Sequence, residues 1–427
     1  MGVTLRELSF GILTFALAAC GVKDDGVSEP SNTAGTSTSS AGSSSGAGAE
    51  NSSVSGNAHG GSDSNSAGAS QSGGSVAVGG ADATPQGGTA TMGGTSTGGS
   101  GGSLPVPVGG QAPADERCEI AKLDPAKPPQ VLTLSGSLGT HDPVMIAADG
   151  RFYLFSTGNN LAAKTSTNML QWQNAPEVFT NATRPAWIAQ AVPGVSNLWA
   201  PDISFFGGQY HLYYSASTFG SNHSCIGHLT RPALNSGTWT DRGQVICSNA
   251  TGNDNWNAID PNLIVDQAGT PWLAFGSFWG GIKLIKLTAD GARDGTSLDS
   301  LAARPNAGGA LEAPFIVRRC GYYYLFTSWD SCCKGASSTY NTRVGRSATL
   351  AGPYQDRAGV ALMQGGGTLL VQGGERYKGP GHNAVVFTDS AAFNVYHSYD
   401  ANNNGQSVLR IAELAWDSEG WPVSGGP

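Results

Sequence analysis

The chain has 427 residues with 39% hydrophobic side chains, and its formal net charge is −8. An acidic balance with no basic patch argues against a polyanionic partner, nucleic acid included, and suits a neutral substrate. From Cys118 onward roughly 310 residues of ordinary composition follow, ample for one large all-β domain with a substantial core.

Residues 1–19 read as an export leader. Arg6 precedes an apolar run from Phe10 to Ala19 that is too short to span a bilayer. The run ends in Leu17-Ala18-Ala19-Cys20, which resembles the bacterial lipoprotein cleavage box. That resemblance implies cleavage before Cys20 and acylation of its thiol. The chain would then touch a membrane only through a lipid anchor, at the bacterial cell surface or in the periplasm. An ordinary secretion signal that happens to contain a cysteine is the alternative. Residues 20–115 are dominated by Ser, Gly, Ala, Thr and Asn, with too little apolar surface to offset chain entropy. A disordered tether is expected there; about 85 residues of it would reach roughly 50 Å. Beyond Cys20 lie Cys118, Cys225, Cys247, Cys320, Cys332 and Cys333. An even number in an exported chain reads as structural disulfides whose pairing stays open, and Cys332-Cys333 lacks zinc-site spacing.

Residues 116–427 contain an internal repeat. An ionisable group, often beside Pro, opens a short apolar strand, a turn follows, and an aromatic-rich strand returns. The openings are Asp142-Pro143, Asp202-Ile203, Asp260-Pro261, Glu312-Ala313-Pro314 and His382-Asn383. The returns are Phe152–Phe155, Tyr210–Tyr214, Trp272–Phe275, Tyr322–Phe326 and Phe393–Tyr396. A spacing of roughly 50 to 70 residues holds a four-stranded antiparallel sheet each, and long helical periodicity is absent. Five such sheets set radially make a five-bladed β-propeller. The innermost strands line its axis, so Asp142, Asp202, Asp260, Glu312 and His382 are expected around one mouth. A ring of carboxyl groups raises its members' pKa values and is costly as mere structure, which points to function. Gly365-Gly366-Gly367-Thr368 is a loop, because neither the Lys nor the helix of a phosphate loop follows.

Hydrolysis of a glycosidic bond needs one protonated carboxyl and one carboxylate on the opposite face. Motif by motif the chain also resembles the endo-acting α-1,5-L-arabinanases of glycoside hydrolase family 43. The resemblance runs through His141-Asp142-Pro143, Trp199-Ala200-Pro201-Asp202, Asn257–Asn262 and Gly276-Ser277-Phe278-Trp279. It continues through Leu311-Glu312-Ala313-Pro314, Val344-Gly345-Arg346-Ser347, Gly365–Thr368 and Gly379-Pro380-Gly381-His382. Each motif alone is weak, but in order they cover nearly the whole repeat region.

What the resemblance implies can be placed residue by residue. Asp142 would be the general base, Glu312 the general acid, and Asp260 the neighbour that raises the Glu312 pKa and holds it in place. Inversion at the anomeric carbon is implied, with the Asp142 and Glu312 carboxyls about 6.5–9.5 Å apart to admit a water. Gly220, Asn257, Ala258, Ile259, Ser277, Phe278 and Trp279 match positions that line arabinose subsites. Trp199 and Phe219 are stacking candidates, with core packing the alternative. His382 matches a histidine beside a calcium or other small ion such as sodium; imidazole is a poor calcium ligand, so water would mediate the contact. A structural channel histidine is the other reading. Asp202 reads more simply as a turn-stabilising acid and stays outside the catalytic set. The substrate would be arabinan, and a monomer is expected. The chain's end at Pro427, directly after the last blade, favours an open cleft and endo action. An exo-acting arabinofuranosidase or β-xylosidase on the same fold, or a non-catalytic sugar-binding propeller, are the alternatives.

Overall fold

The computed structural model describes residues 116–426. The leader, Cys20 and the tether over 20–115 lie outside the described residues. Within them the chain forms five radially repeated antiparallel sheets. The inner strands are Val144–Ala148, Leu198–Phe206, Asn262–Val265, Leu311–Arg319 and Tyr377–Phe387. Each touches the inner strand of the next blade, and the fifth touches the first, so the ring is closed and a five-bladed propeller results. The first blade carries one strand more than the repeat implies. The short Ser135–Gly136 strand lies parallel to Gln171–Ala175 at its outer edge.

Local chemistry explains the turns. Between the first and second strands of three blades stand Asp149-Gly150, Gly207-Gly208 and Cys320-Gly321, all with positive φ. This is the conformation a two-residue hairpin needs to match strand twist. The alternating strands bury aromatic faces between neighbouring blades. Trp172, Tyr213, Tyr214, Phe275, Phe326 and Trp416 are fully buried there, and burial of each large apolar side chain contributes about 1.5–3 kcal/mol. Closure uses the segment before the first blade. Leu123 donates to the Trp416 carbonyl, Leu132 to that of Ile411, and Glu413 to that of Gln130, which stitches this segment along the fifth blade. Cys118–Cys320 joins the same segment to the fourth blade, and Cys225–Cys247 ties two adjacent strands of the second.

At or near the start of four inner strands, and midway along the fifth where its pairing shifts register, one residue has left-handed backbone: Asp142 (φ 51°), Ala200 (46°), Asp260 (58°), Ala313 (55°) and His382 (50°). Such a conformation costs about 1–3 kcal/mol away from glycine and persists where surrounding contacts over-determine it. Those contacts are present, because each of these N–H groups donates to a side chain of the preceding blade. Ala200 donates to Thr157 Oγ1 (2.9 Å), Asp260 to Ser215 Oγ (2.9 Å) and Ala313 to Asp260 Oδ2 (3.2 Å). His382 donates to Ser328 Oγ (2.8 Å) and Asp142 to His397 Nδ1 (3.1 Å). The turn this imposes aims the neighbouring side chains at the mouth.

This register corrects the expected ring at one member. Ala200, not Asp202, stands at the left-handed position of the second blade. Two residues further along the strand, Asp202 is buried in the wall and accepts from Leu263 N (2.9 Å) and Asn262 Nδ2 (3.1 Å). It pins the second inner strand to the third, as Asn262 Oδ1 pins the third to the fourth by accepting from Ile316 N (2.7 Å). Burial lifts the Asp202 pKa to about 6, against the lowering effect of those donors.

Candidate active site

The starts of the inner strands and the loops after the second strands share one face, because antiparallel pairing sets Leu311 opposite Trp329 and Leu198 opposite Ala216. Those loops carry Thr157, Phe219 with Gly220, Ser277–Trp279, and Cys332 to Tyr340 in four successive blades. Beneath them Pro143, Pro201, Pro261, Pro314 and His382, one from each blade, line a single narrow cavity. Side chains far apart in sequence therefore meet at one mouth.

Glu312 is buried just before left-handed Ala313. Ser277 Oγ donates to its Oε2 and Tyr340 Oη to its Oε1, both at 2.6 Å. Ser277 reaches it because the Ser277 backbone bridges that of Glu312 and Phe278 N donates to Leu311 O (2.9 Å). Tyr340 reaches it from the loop that precedes the third strand of the same blade. Its ring lies against Gly381 so closely that a Cβ there would collide with it, which explains the glycine before His382. Burial raises the Glu312 pKa to about 7, over the opposing effect of Ser277 and Tyr340. Asp260 braces the next peptide through Ala313 N. Burial and then the Glu312 and Asp142 charges push the Asp260 pKa well above the usual carboxylate range.

Asp142 has the opposite surroundings. Burial would raise its pKa, but His141, His382 and His397 outweigh it and hold the carboxyl well below its ordinary value. His141 Nδ1 lies 2.8 Å from Oδ2, and Thr157 Oγ1 donates to the same oxygen at 2.5 Å. His382 Nδ1 is 3.2 Å from Oδ1. His141 is stacked on His397 with ring centroids 4.0 Å apart, and its Nε2 meets Tyr399 Oη at 2.8 Å. Against the effect of burial, Asp142 raises the His141 pKa well above normal, whereas burial lowers those of His382 and His397. The cluster thus favours the charged forms of Asp142 and His141 and disfavours those of His382 and His397. The mouth offers one carboxylate held ionised, Asp142, and two carboxyls with raised pKa values, Glu312 and the Asp260 that braces it.

The remaining candidates divide by burial. Trp279 and Phe219 are exposed, Trp279 and Phe278 have left-handed backbone, and Trp199 stands 5.0 Å from Phe219 between ring centroids. Gly220 is exposed with open space around its Cα. Ala258 is packed in the core with Trp256 and Phe275, and Ile259 is also buried. Asn257 is buried with Oδ1 lacking a protein partner among the described residues. Ser277 spends its hydroxyl on Glu312. His141, Thr157, Tyr340, His397 and Tyr399 complete the site without having been singled out from the sequence.

The donor set around His382 does not suit directly bound calcium, which takes six to eight oxygens. Its close partner is Asp142 Oδ1, and the other Asp142 oxygen is taken by Thr157 and His141. His141, Asp142 and His397 also group closely enough to hold a metal, but hydrogen bonds already account for their approach.

Comparison with known proteins agrees with this geometry. The sequence profile described as "Glycosyl hydrolases family 43" matches residues 136–422. An extracellular endo-α-(1→5)-L-arabinanase of Bacillus subtilis (strain 168) is 46% identical over 287 residues, 66% of this chain and 86% of that protein. An extracellular exo-α-(1→5)-L-arabinofuranosidase of Cellvibrio japonicus (strain Ueda107) is 42% identical over 298 residues, 66% of this chain and 85% of its own. The solved structure of an endo-arabinanase from Bacillus licheniformis has a TM-score of 0.65 and 47% identity, covering 68% of this chain and 99% of that one. With the match spanning the blades that build the mouth, the chain belongs to glycosyl hydrolases family 43.

Proposed function

We propose that the protein is an exported endo-α-1,5-L-arabinanase that inverts configuration, with Glu312 as general acid and Asp142 as general base. The observation that carries the reading is the divergence of two carboxyls at one mouth. Burial keeps a proton on Glu312 near neutrality, while His141 and its neighbours keep Asp142 ionised. Glu312 gives its proton to the glycosidic oxygen as the bond to C1 breaks. Asp142 takes a proton from the water that attacks C1 on the opposite face. Asp260 holds the Glu312 turn, and Ser277 and Tyr340 fix the Glu312 carboxyl plane. Trp279, Phe278, Phe219 and Trp199 supply faces for furanose rings, with Gly220 leaving room beside them and Asn257, Ala258 and Ile259 shaping the floor.

Endo action is supported by the likeness to two endo-arabinanases, whereas an exo-acting relative at 42% identity keeps exo attack as the second reading. On linear arabinan, viscosity is expected to fall well ahead of reducing-sugar release, with the β-anomer appearing first by NMR. Release of arabinose or one short oligosaccharide from the outset, with viscosity retained, would favour the exo reading. In the same assay Trp279→Ala is expected to raise KM several-fold with kcat little changed.

Two further elements belong to the proposal. A small ion reached from His382 through water would close the channel, and no catalytic step depends on it; exhaustive chelation is expected to lower the melting temperature, and an unchanged Tm would argue against calcium. Acylation of Cys20 would anchor the enzyme, on the strength of the Leu17–Cys20 box. The full-length protein should partition into detergent, and Cys20→Ser should abolish this.

A further inference from the structure

Cys332 and Cys333 sit half-buried at the mouth, in the loop between the second and third strands of the fourth blade. Cys333 has left-handed backbone (φ 62°), and its N–H donates to Tyr399 Oη at 2.8 Å. Its Sγ lies 3.8 Å from His141 Nε2, the nitrogen opposite the one that faces Asp142. The loop is fastened at both ends. Asp330 N donates to Ala310 O, and Thr339 and Tyr340 both donate to Ser331 O, so the thiol pair is held beside His141, the partner of the general base, in the loop that also delivers Tyr340 to Glu312. The other cysteines of the described residues are paired as disulfides, as an exported protein permits.

We propose that Cys332 and Cys333 are a redox modification site, a reversible disulfide between adjacent residues that sets the charge beside the general acid. The oxidant is a disulfide-bearing thiol carrier of the exported compartment. The Cys333 thiolate attacks one sulfur of the carrier and expels the other as a thiolate. Cys332, losing its proton, then displaces the carrier from the mixed disulfide. One S–S bond forms in the protein and one breaks in the carrier, which leaves as two thiols carrying the two electrons. Adjacent Cα atoms are about 3.8 Å apart, closer than the usual disulfide span, so mild thiols should reverse the bond.

The charge consequence follows from what surrounds the pair. Cys333 interacts with His141 and Asp142 from the first blade, Asp260 from the third, Glu312 and Cys332 from the fourth and Tyr399 from the fifth, while Cys332 acts on Tyr340. In the dithiol form the hydrogen bond from Cys332, with help from His141, holds the Cys333 thiol well below its ordinary value. Its negative charge then adds to the elevation of Glu312. Disulfide formation removes that charge, so the alkaline limb of activity should retreat to lower pH.

The inference rests on Glu312 as the acid, and two measurements separate the two claims. Alkylation of the exported full-length protein without prior reduction, followed by peptide mapping, should leave Cys332 and Cys333 unmodified. After mild reduction that spares Cys118–Cys320 and Cys225–Cys247, both should be alkylated. The alkaline limb of kcat/KM should lie about one pH unit lower in the oxidised form than in the dithiol form. Cys332→Ser/Cys333→Ser should have a limb indifferent to reductant. Ready alkylation of both thiols in the exported protein overturns the site, and a bond whose reduction leaves the limb in place overturns the coupling. Glu312→Gln inactivation shows in either case whether the acid assignment itself stands.

Discussion

Glu312→Gln is expected to lower kcat on linear arabinan roughly 10²–10⁴-fold while binding of the oligosaccharide is retained. Gln keeps the shape, with its one amide oxygen still accepting from either Ser277 or Tyr340 and its NH2 facing the other hydroxyl, but it has no acidic proton to give the leaving oxygen. The size of the loss should therefore depend on the leaving group. An aryl arabinooligosaccharide that releases an acidic phenol needs little protonation and should lose far less than arabinan does. In the reduced, dithiol form wild-type kcat/KM should fall on the alkaline side with an apparent pKa near 7, because burial raises the Glu312 carboxyl to about that value and the acid must be protonated to act. With the acid gone, that limb should vanish from the variant. Equal losses on both substrates, or an alkaline limb that survives in the variant, would place the proton donor elsewhere.

Much of the fold was legible because blade chemistry is local. Asp149-Gly150 announces a hairpin, and aromatic runs such as Tyr210–Tyr214 announce a strand buried between blades. The mouth was legible in outline and misread in register. Alignment of the repeat on its charged residue set Asp202 and Glu312 beside Asp142. Alignment on the proline brings Asp142-Pro143, Ala200-Pro201, Asp260-Pro261 and Ala313-Pro314 together, and each residue before proline proves left-handed. In that register Asp202 falls two positions along the strand, into the wall, whereas Glu312 precedes its turn and still faces the mouth. The proline was the better signal because it reports backbone conformation, while a carboxylate can serve either a site or an inter-blade pin.

The supporting residues were hidden for a different reason. His397 and Tyr399 lie on the second strand of the fifth blade, two apart and hence on one face, but their importance depends on pairing with the Gly-Pro-Gly-His segment. Tyr340 lies in a long loop whose destination no local pattern fixes. His141 was quoted only as part of a motif. Its partnership with Asp142 and Tyr399 needs the first and fifth blades to meet, and that depends on ring closure. Long-range closure thus supplies most of the electrostatics of the site, and the short motifs supply its two reacting groups.

Asp142→Asn should cost a similar roughly 10²–10⁴-fold in kcat, with a signature opposite to that of the acid variant. An amide can still accept from Thr157 Oγ1 and face His141, but it cannot take the proton of the attacking water. A better leaving group should not help, because nucleophile activation is what fails. Azide should help, since it attacks C1 with no proton to lose while Glu312 still protonates the departing oxygen. The product expected is the β-L-arabinofuranosyl azide, inverted at C1. The same addition should do nothing for Glu312→Gln. His141 reports the change independently. Its raised pKa owes most to the Asp142 charge, so its imidazole NMR titration should move toward lower pH in the variant. Azide rescue confined to Glu312→Gln would exchange the two roles, and near-normal turnover by Asp142→Asn would remove this carboxylate from the reaction.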